Sequence, residues 1–498
     1  MILSSSESPS RFSMSYLSLP ESFFSRVAPT PVSEPKMIRL NEALAAKLGL
    51  SLDELKSPDG LSVLAGNKRF DGFEPFAMAY AGHQFGNWVP ALGDGRAIQI
   101  GAVLDSEGNE TSIQLKGAGP TPYSRQGDGR AAIGPVLREY ILSEAMFSLG
   151  VPTTRALAAV TTGEAVYRDR PERGAILTRV AAGFVRVGTF EYFSARGQVE
   201  SVKALAEYVI VSRYPGLMDS PHPFRSLLGV VVESQADLIA RWMHLGFIHG
   251  VMNTDNMSVM GETIDYGPCA FLDEYNPSKV FSSIDRFGRY AFQQQPNIGL
   301  WNLTRFAESL LPLLGENEDE AVEVAQSILG EFEGHFRRFY DAGMSEKLGL
   351  SSSNDQSRSL SSDLLELMGE ASSDYTLTFR YLSSVLREGS VSSHRFRGLF
   401  KDPSGIESWL GRWQEVLRAE GVSDEVRSDR MLNVNPLFIP RNHRVQQVID
   451  RFVEQDDLGP LESMLSVLSS PFVESARNMA YADPPEPSEV VRQTFCGT

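Results

Sequence analysis

Four polar features of the sequence stand in an order that suits chemistry on a polyphosphate. Lys116 ends a strand-like run, and Glu139 follows 23 residues later in a helix-like run. The segment 249–256 (HGVMNTDN) ends in Asn256, and Asp265 stands nine residues further on. A fixed lysine and bound Mg²⁺ neutralise the charges of a polyphosphate, and oxygen atoms of Asp and Asn hold the metal. The spacing therefore predicts transfer of a phosphoryl or nucleotidyl group.

Protein kinases use the same series of a strand lysine, a helix glutamate, an Asn-ended loop and a metal-binding aspartate. Two departures alter the active site. Val251 occupies the position of the kinase base and cannot accept a proton, so Asp255 is the nearest carboxylate. No G-x-G-x-x-G precedes the lysine strand, where Gly-Asp-Gly-Arg (93–96) stands instead. These residues predict a kinase-like fold with a changed catalytic site.

Two longer segments carry a more specific resemblance. Residues 116–158 (KGAGPTPYSRQGDGRAAIGPVLREYILSEAMFSLGVPTTRALA) and 249–273 (HGVMNTDNMSVMGETIDYGPCAFLD) strongly resemble the selenoprotein O family, as does the cysteine third from the end. The similarity runs from about residue 15 to residue 498. It implies a kinase-fold protein that binds ATP in a flipped orientation. It also implies transfer of AMP, rather than phosphate, to Ser, Thr or Tyr hydroxyls of target proteins.

The resemblance also implies roles for individual residues. Asp255 would be the general base, Asn256 and Asp265 would bind Mg²⁺ or Mn²⁺, and Glu139 would orient Lys116. In a reversed nucleotide, Lys116 and two arginines grip the β- and γ-phosphates while the α-phosphorus faces the acceptor hydroxyl. The expected nucleotide-binding residues are Gly93, Gly95, Arg96, Lys116, Asp128, Gly129, Arg179, Arg186 and Asp265.

Ordinary roles remain open for several of these residues. Arg138 and Glu144 share the helix of Glu139, which leaves a solvated face as an alternative, and Asp255 could cap a turn. Three other functions remain open: a conventional protein kinase that transfers the γ-phosphate, a non-catalytic ATP-binding pseudokinase scaffold, and a metal-dependent hydrolase. The hydrolase ranks last because the sequence has neither a His-rich ligand cluster nor a G-x-S-x-G motif.

The chain has two cysteines, Cys269 and Cys496, too few for a disulfide scaffold or a four-cysteine zinc site. In the family, the tail position is a cysteine or selenocysteine linked to redox biology. The resemblance therefore suggests a reversible bridge between Cys269 and Cys496, which would tie the C-terminal tail to the metal-binding segment.

Composition limits the partners. Lysine and arginine total 46 against 63 acidic residues, a net charge of −17 over 498 residues, which disfavours binding to nucleic acids and anionic membranes. No apolar run of about 18 residues predicts a membrane span, and the N-terminus lacks the features of a secretory signal. We therefore predict a cytoplasmic protein, most simply a monomer, whose partners are protein substrates.

The elements that must position the polar residues form two unlike halves. Runs 97–104 and 111–117 predict a β-hairpin that ends near Lys116, and residues 131–149 predict the helix that carries Glu139. Further short strands are predicted over 155–162, 164–168 and 175–182. From about residue 200 helices dominate, at 201–213, 225–248, 300–314, 317–342, 374–388 and 405–420.

The predicted class is α+β, with a protein-kinase-like two-lobed fold. Residues 1–74 form an N-terminal extension, 75–198 a strand-rich N-lobe with the nucleotide loops, and 199–498 a helical C-lobe with the catalytic segment and the cysteine tail. Within the extension, residues 36–48 predict an amphipathic helix. Within the C-lobe, the serine-rich stretch 344–362 predicts a surface loop.

Overall fold

The computed structural model describes residues 12–13, 15–70, 72–104, 108–387 and 391–495. It shows a mixed α/β protein in which an antiparallel sheet is followed by many helices. The strands are β1 (Phe12–Ser13), β2 (Phe24–Arg26), β3 (Lys36–Leu40), β4 (Phe76–Met78), β5 (Gly82–Gln84), β6 (Asn87–Val89), β7 (Ala97–Leu104), β8 (Glu110–Lys116), β9 (Ala131–Ala132), β10 (Arg155–Tyr167), β11 (Pro171–Ala181), β12 (Phe247–Ile248) and β13 (Ala270–Phe271).

The helices follow the same chain order. They are α1 (Glu42–Lys47), α2 (Leu52–Lys56), α3 (Pro58–Leu64), α4 (Ile133–Ser148), α5 (Val187–Ser194), α6 (Val199–Arg213), α7 (Pro223–Leu245), α8 (Gln295–Leu314), α9 (Glu318–Gly330), α10 (Phe332–Lys347), α11 (Asp355–Ala371), α12 (Tyr375–Val385), α13 (Val391–Arg397), α14 (Pro403–Ala419), α15 (Asp424–Val434), α16 (Asn442–Gln455) and α17 (Gly459–Leu468).

The main sheet has the strand order β2-β4-β7-β8-β11-β10-β3, with β1 paired to β7 and β9 to β11. Strand β8 lies between β7 and β11, and Lys116 is opposite Ala97 on one side and Leu177 on the other. The predicted hairpin of β7 and β8 is confirmed. Its central place means that Lys116 is fixed by hydrogen bonding on both sides of its strand.

Helix α4 covers one face of this sheet. Its apolar side, with Val136, Leu137, Tyr140 and Ile141, packs with residues of β10 and β11 into a buried cluster. Glu139 is also buried on this helix, so the alternative of a solvated face for it is wrong. The apolar residues whose spacing predicts the helix are the ones that pack against the sheet. Glu139 is buried with them, and its side chain is directed toward the sheet.

Three sequence expectations are corrected by the structure. Residues 36–40 form strand β3 paired with β10 rather than the first turns of a helix, and Asn41 then caps α1 by accepting from the Leu44 amide. The runs 155–162 and 164–168 are one strand, β10, with irregular register. Much of the predicted loop 344–362 is helical, because Asn354 caps α11 through the amides of Gln356 and Ser357.

The helices predicted after residue 200 correspond within a few residues to α6, α7, α8, α12 and α14, and 317–342 divides into α9 and α10. Helices α11, α13, α15, α16 and α17 were not predicted. The helices of this part of the chain enclose a large apolar core that is continuous with α5 and the segment 247–272. Among the described residues, no helix has the length and apolar character needed to cross a membrane.

Candidate functional site

Lys116 and two carboxylates form the centre of the cleft. The Nζ atom of Lys116 lies 2.6 Å from Glu139 Oε2 and 2.8 Å from Asp265 Oδ1. The lysine comes from the sheet, the glutamate from α4 and the aspartate from the loop before β13. Three separate predictions from the sequence are therefore brought together at one point.

Arg179 extends this contact along the neighbouring strand. Its Nη1 lies 2.7 Å from Asp265 Oδ1 and 3.2 Å from Glu139 Oε1, and its Nε donates to Gln114 Oε1 at 2.8 Å. Gln114 and Arg179 are opposite each other in the β8–β11 register, which fixes the direction of the guanidinium. Lys116 and Arg179 thus share one oxygen atom of Asp265.

Arg186 and Asp94 complete the cluster at greater distances. The Nη2 atom of Arg186 lies 3.7 Å from Asp94 Oδ1 and 3.7 Å from Asp265 Oδ2, and its guanidinium lies over the Tyr80 ring at 4.6 Å. Asp94 Oδ2 accepts from the Met78 amide and from Gln114. This buried carboxyl therefore ties the glycine-rich loop to the sheet.

The electrostatics of the cluster centre on Asp265. Its burial raises the pKa, but Arg179, Lys116 and Arg186 outweigh burial and hold the pKa of this carboxyl well below its usual range. Burial has the larger effect on Asp94 and raises the pKa of that group. Three cationic side chains face three acidic ones. The fixed positive charges of the cleft are therefore compensated by neighbouring carboxyl groups.

The glycine-rich loop 93–96 lies directly beside this cluster. Gly93 has a φ of +67°, and a Cβ there would lie 2.3 Å from the Tyr123 ring, so only glycine fits. Ser124 and Thr121 bind the carbonyl groups of Gly95 and Asp94. The second loop, 117–130, is therefore packed onto the first and forms one wall of the cleft.

Asp128 and Gly129 lie on this wall, toward its outer end. The Asp128 carboxylate accepts from Arg168 Nη1 at 2.8 Å and from the Arg130 amide at 2.9 Å. Its bond to the Arg168 guanidinium lowers the pKa of this carboxyl. Asp128 thus lines the same cleft as Lys116, but it bonds to Arg168 and Arg130 rather than to the central cluster.

Asp255 occupies a short turn, Thr254–Asn256, on the opposite wall. Its Oδ2 accepts from Gln84 Nε2 at 3.1 Å, while its Oδ1 is buried without a hydrogen-bond partner among the described residues. Burial raises the pKa of this carboxyl to about 6. A buried carboxylate oxygen with unused bonding capacity is the expected form of a group that accepts a proton from a substrate.

The hairpin β5–β6 holds this turn in place. The His83 amide donates to Thr254 Oγ1 at 2.7 Å, and the Phe85 amide donates to Asn253 Oδ1 at 3.0 Å. Gly82 packs so closely that a Cβ would lie 2.6 Å from Asp255 Oδ1. Residues 82–85 of this hairpin therefore position residues 253–255 of the candidate site.

Asn256 and Asp265 are the candidate metal ligands. The Nδ2 atom of Asn256 donates to the Val251 carbonyl at 3.1 Å, which leaves Oδ1 as the atom suited to a cation. The described residues contain no group of three or more His, Cys, Asp or Glu side chains around one point. Mg²⁺ typically uses one or two protein oxygens together with phosphates and water, so this sparse donor set fits it when a nucleotide is bound.

His249 has a structural position. Its Nε2 atom lies 2.9 Å from the Ile264 carbonyl oxygen, and the Val251 amide approaches its Nδ1 at 3.4 Å. The first contact joins the segment that carries Asp255 to the one that carries Asp265, and the second lies within the segment 249–256. His249 therefore orders the loop between these two segments.

The predicted residues meet in one cleft of about 740 Å³. Glu139 is the exception, because it contacts Lys116 but does not itself line this cavity. The lining includes all other predicted nucleotide-binding, catalytic and metal-binding residues, namely Gly93, Gly95, Arg96, Lys116, Asp128, Gly129, Arg179, Arg186, Asp255, Asn256 and Asp265.

The sequence interpretation missed Asp94, Gln114 and Gln84. Asp94 stands inside the quoted Gly-Asp-Gly-Arg segment, so its position beside two functional glycines was a usable signal. Gln114 precedes Lys116 by two residues and therefore lies on the same strand face. Gln84 has no such signal, because only the folded chain brings β5 to the turn of Asp255.

Cys269 is buried, and its carbonyl accepts from Arg138 on α4. Cys496 lies outside the described residues. Thr494, two positions earlier, donates its hydroxyl to the carbonyl of Pro268. The described end of the tail thus contacts the residue before Cys269.

Comparison with known proteins extends over nearly the whole chain. The family described as "Protein adenylyltransferase SelO" matches residues 8–469. A protein from Rhodopseudomonas palustris (strain BisB18) named protein nucleotidyltransferase YdiU is 55% identical over 487 residues, which cover 98% of this chain and 99% of that protein. Proteins of the same name from Bradyrhizobium sp. (strain ORS 278) and Rhizobium rhizogenes (strain K84) are 54% and 53% identical, each covering 98% of this chain and 99% and 97% of their own lengths.

Proposed function

The chain belongs to the SelO family and is a protein nucleotidyltransferase, and from that premise we propose that it transfers AMP from ATP to Ser, Thr or Tyr hydroxyls of target proteins. The observation that carries the proposal is the convergence of Lys116, Arg179 and Arg186 on Asp265, inside a cleft that also holds Asp255. The cationic group suits the β- and γ-phosphates of the leaving diphosphate, and Asp255 suits the acceptor hydroxyl.

In this reaction the acceptor oxygen forms a bond to the α-phosphorus while the bond between that phosphorus and the bridging oxygen breaks. Asp255 Oδ1 takes the hydroxyl proton, and diphosphate leaves with the bonding electron pair. Lys116, Arg179 and Arg186 hold the diphosphate and stabilise the charge that develops on it. The flipped nucleotide accounts for Val251 at the place of the kinase base, since the α-phosphorus and not the γ-phosphorus faces the acceptor.

Asn256 and Asp265 would hold Mg²⁺ or Mn²⁺ in this reaction, through Oδ1 of Asn256 and the carboxylate of Asp265. A bound divalent cation would supply further neutralisation of the phosphate oxygens. The chain's own part is to present these two side chains, which flank the segment 257–264, to the same cleft. The paired Lys116 and Arg179 compensate Asp265 when no cation is present.

We further propose that the fold is protein-kinase-like, with an N-lobe over 75–198 and a helical C-lobe from residue 199. The antiparallel sheet, the Lys116–Glu139 pair and the Asp255–Asp265 segment support this division. The segment before residue 75 contributes to the main sheet, because β2 and β3 are two of its strands.

The family resemblance also supports a reversible bridge between Cys269 and Cys496. The contact of Thr494 with Pro268 brings the described tail to the neighbour of Cys269. Non-reducing gels should show a thiol-sensitive change in mobility that is lost in Cys496→Ala. The same change in that variant would contradict the bridge.

The test of the function is transfer from ATP labelled at either the α- or the γ-phosphate. The purified enzyme is incubated with proteins of a cell lysate and Mg²⁺, alongside Asp265→Ala and the control Asp355→Ala, which changes a fully exposed carboxylate. We expect protein labelling from α-labelled ATP only, its loss in Asp265→Ala and after chelation, and its retention in Asp355→Ala. Labelling from γ-labelled ATP would identify a conventional kinase, and ATP binding without labelling would identify a scaffold.

A further inference from the structure

The loop 281–290, hereafter the cleft-mouth loop, presents large apolar side chains to solvent beside the candidate active site. Phe287 is 98% exposed and Ile284 is 60% exposed. Ile284 also lines the cleft that contains Asp255 and Pro268. Single exposed apolar residues are common on protein surfaces, so the position of this pair matters more than its exposure.

The cleft-mouth loop is held by several internal bonds. The buried Asp285 carboxylate accepts from the amides of Arg289 at 3.0 Å and Tyr290 at 2.8 Å. On the other side, Ser282 pairs with Thr494, whose amide donates to the Phe281 carbonyl at 2.8 Å. The backbone that carries Ile284 and Phe287 is therefore fixed by hydrogen bonds on both sides of the pair.

The same loop is joined to the catalytic turn. The hydroxyl of buried Tyr290 donates to Asn253 Oδ1 at 2.6 Å, and Asn253 precedes Asp255 by two residues. Phe287 lies three residues before Tyr290, a chain distance of at most about 10 Å. A protein segment that delivers a hydroxyl to Asp255 enters the cleft that Ile284 lines, and Phe287 is exposed on the same loop.

We propose that the cleft-mouth loop is the docking surface for the acceptor segment of the target protein, and that Ile284 and Phe287 select an apolar residue near the acceptor hydroxyl. The inference rests on the proposed function and names the substrate class of the same site. An extended segment advances about 3.3 Å per residue, and Ile284 lines the same cleft as Asp255, so we expect the selected side chain within a few residues of the hydroxyl. Burial of an aromatic side chain against such a partner supplies enough free energy to discriminate about tenfold.

The experiment uses full-length enzyme, α-labelled ATP and a degenerate peptide library with one fixed Ser, Thr or Tyr acceptor. The variants are Phe287→Ser, the double variant Ile284→Ser/Phe287→Ser, and the control Val473→Ser, which changes another exposed apolar residue outside the cleft lining. Thermal unfolding and the KM for ATP are measured for each protein, to show that the fold and the nucleotide site persist.

We expect wild type and Val473→Ser to prefer peptides with Leu, Ile, Val or Phe near the acceptor by about tenfold in kcat/KM. The double variant should lose this preference at an unchanged KM for ATP, with Phe287→Ser between the two. A wild type without apolar preference, or a double variant that keeps it, would overturn the inference alone. Absence of transfer from α-labelled ATP to any peptide or lysate protein would overturn the proposed function, and this inference with it.

Discussion

Two buried clusters of arginine and carboxylate lie in different parts of the molecule. In the cleft, Arg179 lies between Glu139 and Asp265. In the helical part, Arg441 is fully buried and its Nη1 lies 3.0 Å from Asp273 Oδ1 and 2.6 Å from Asp374 Oδ2. The chemical groups are alike, so residue type and burial alone do not distinguish a functional cluster from a structural one.

The two clusters differ in what surrounds the other polar atoms of their side chains. Arg441 uses Nη2 for the Ala482 carbonyl, and Asp374 also caps α12 through the Leu377 amide. These contacts join three separate parts of the chain around a closed centre. The cleft cluster faces a cavity of about 740 Å³ and adds Lys116 and Arg186 to its cationic side. Open access to a cavity is therefore the feature that distinguishes the cluster to which we assign nucleotide binding.

The largest expected effect comes from disrupting the cleft cluster, hereafter the open cluster. Lys116→Met should lower AMP transfer by about 10²- to 10³-fold, because it removes a fixed charge from the leaving diphosphate. The fold should persist, since Arg179 still pairs with Asp265 and Glu139. The measurement is initial transfer rate together with thermal unfolding, and Lys36→Met on the exposed start of β3 is the control. Full activity in Lys116→Met would contradict the role of the cluster.

The cluster around Arg441, hereafter the closed cluster, should respond in the opposite way, because its disruption should lower stability rather than transfer. Arg441→Met leaves Asp273 and Asp374 without their cation, which should lower the free energy of unfolding by about 3 kcal/mol or more. Transfer per folded molecule at low temperature should stay near the wild-type rate. Denaturant titration and an activity assay on the same preparation check both expectations. Loss of transfer at unchanged stability would remove the distinction between the two clusters.

Gln84→Met tests a neighbour of the open cluster with a smaller effect. The substitution keeps the side-chain length but removes the donor to Asp255 Oδ2. Loss of one hydrogen bond to a charged group should lower kcat about tenfold, while the KM for ATP and the unfolding temperature change little. Equal changes in kcat and in the KM for ATP would show that Gln84 acts on nucleotide binding instead.

The smallest expected effect on transfer concerns Lys347, which bears on stability instead and whose amine lies 5.8 Å from the ring of Tyr375, the residue after Asp374. This buried amine lies 4.2 Å from the Phe379 ring, and its burial lowers the pKa to about 7. In the unfolded chain the pKa returns to about 10.4, so the unfolded state binds more protons between these values. Stability should therefore gain from this group as the pH rises from about 7 to about 10, by at most about 1.4 kcal/mol per pH unit.

Lys347→Met should remove that rise. The measurement is the denaturation midpoint at several pH values for wild type and variant, with Lys36→Met as a surface control. Parallel curves for wild type and Lys347→Met would show that the amine stays charged in the folded state, supported by the rings of Phe379 and Tyr375.

The sequence predicted those parts of the site whose signal is local. The hairpin of β7 and β8 and helix α4 follow from apolar periodicity, and they place Lys116 and Glu139. Spacing predicted the pair Asp255 and Asp265, and resemblance supplied Arg179 and Arg186. Gln84 and Arg441 escaped prediction, because their partners lie 171, 168 and 67 residues away and only tertiary packing brings them together.

The central claim is that the cationic side chains hold the far end of a reversed triphosphate. The most direct test is a crystal structure of the enzyme with Mg²⁺ and a non-hydrolysable ATP analogue. We predict that the β- and γ-phosphates lie within hydrogen-bond distance of Lys116, Arg179 and Arg186, and that the α-phosphorus faces Asp255. Adenine at the inner end of the cleft, with the γ-phosphate next to Asp255, would contradict the account.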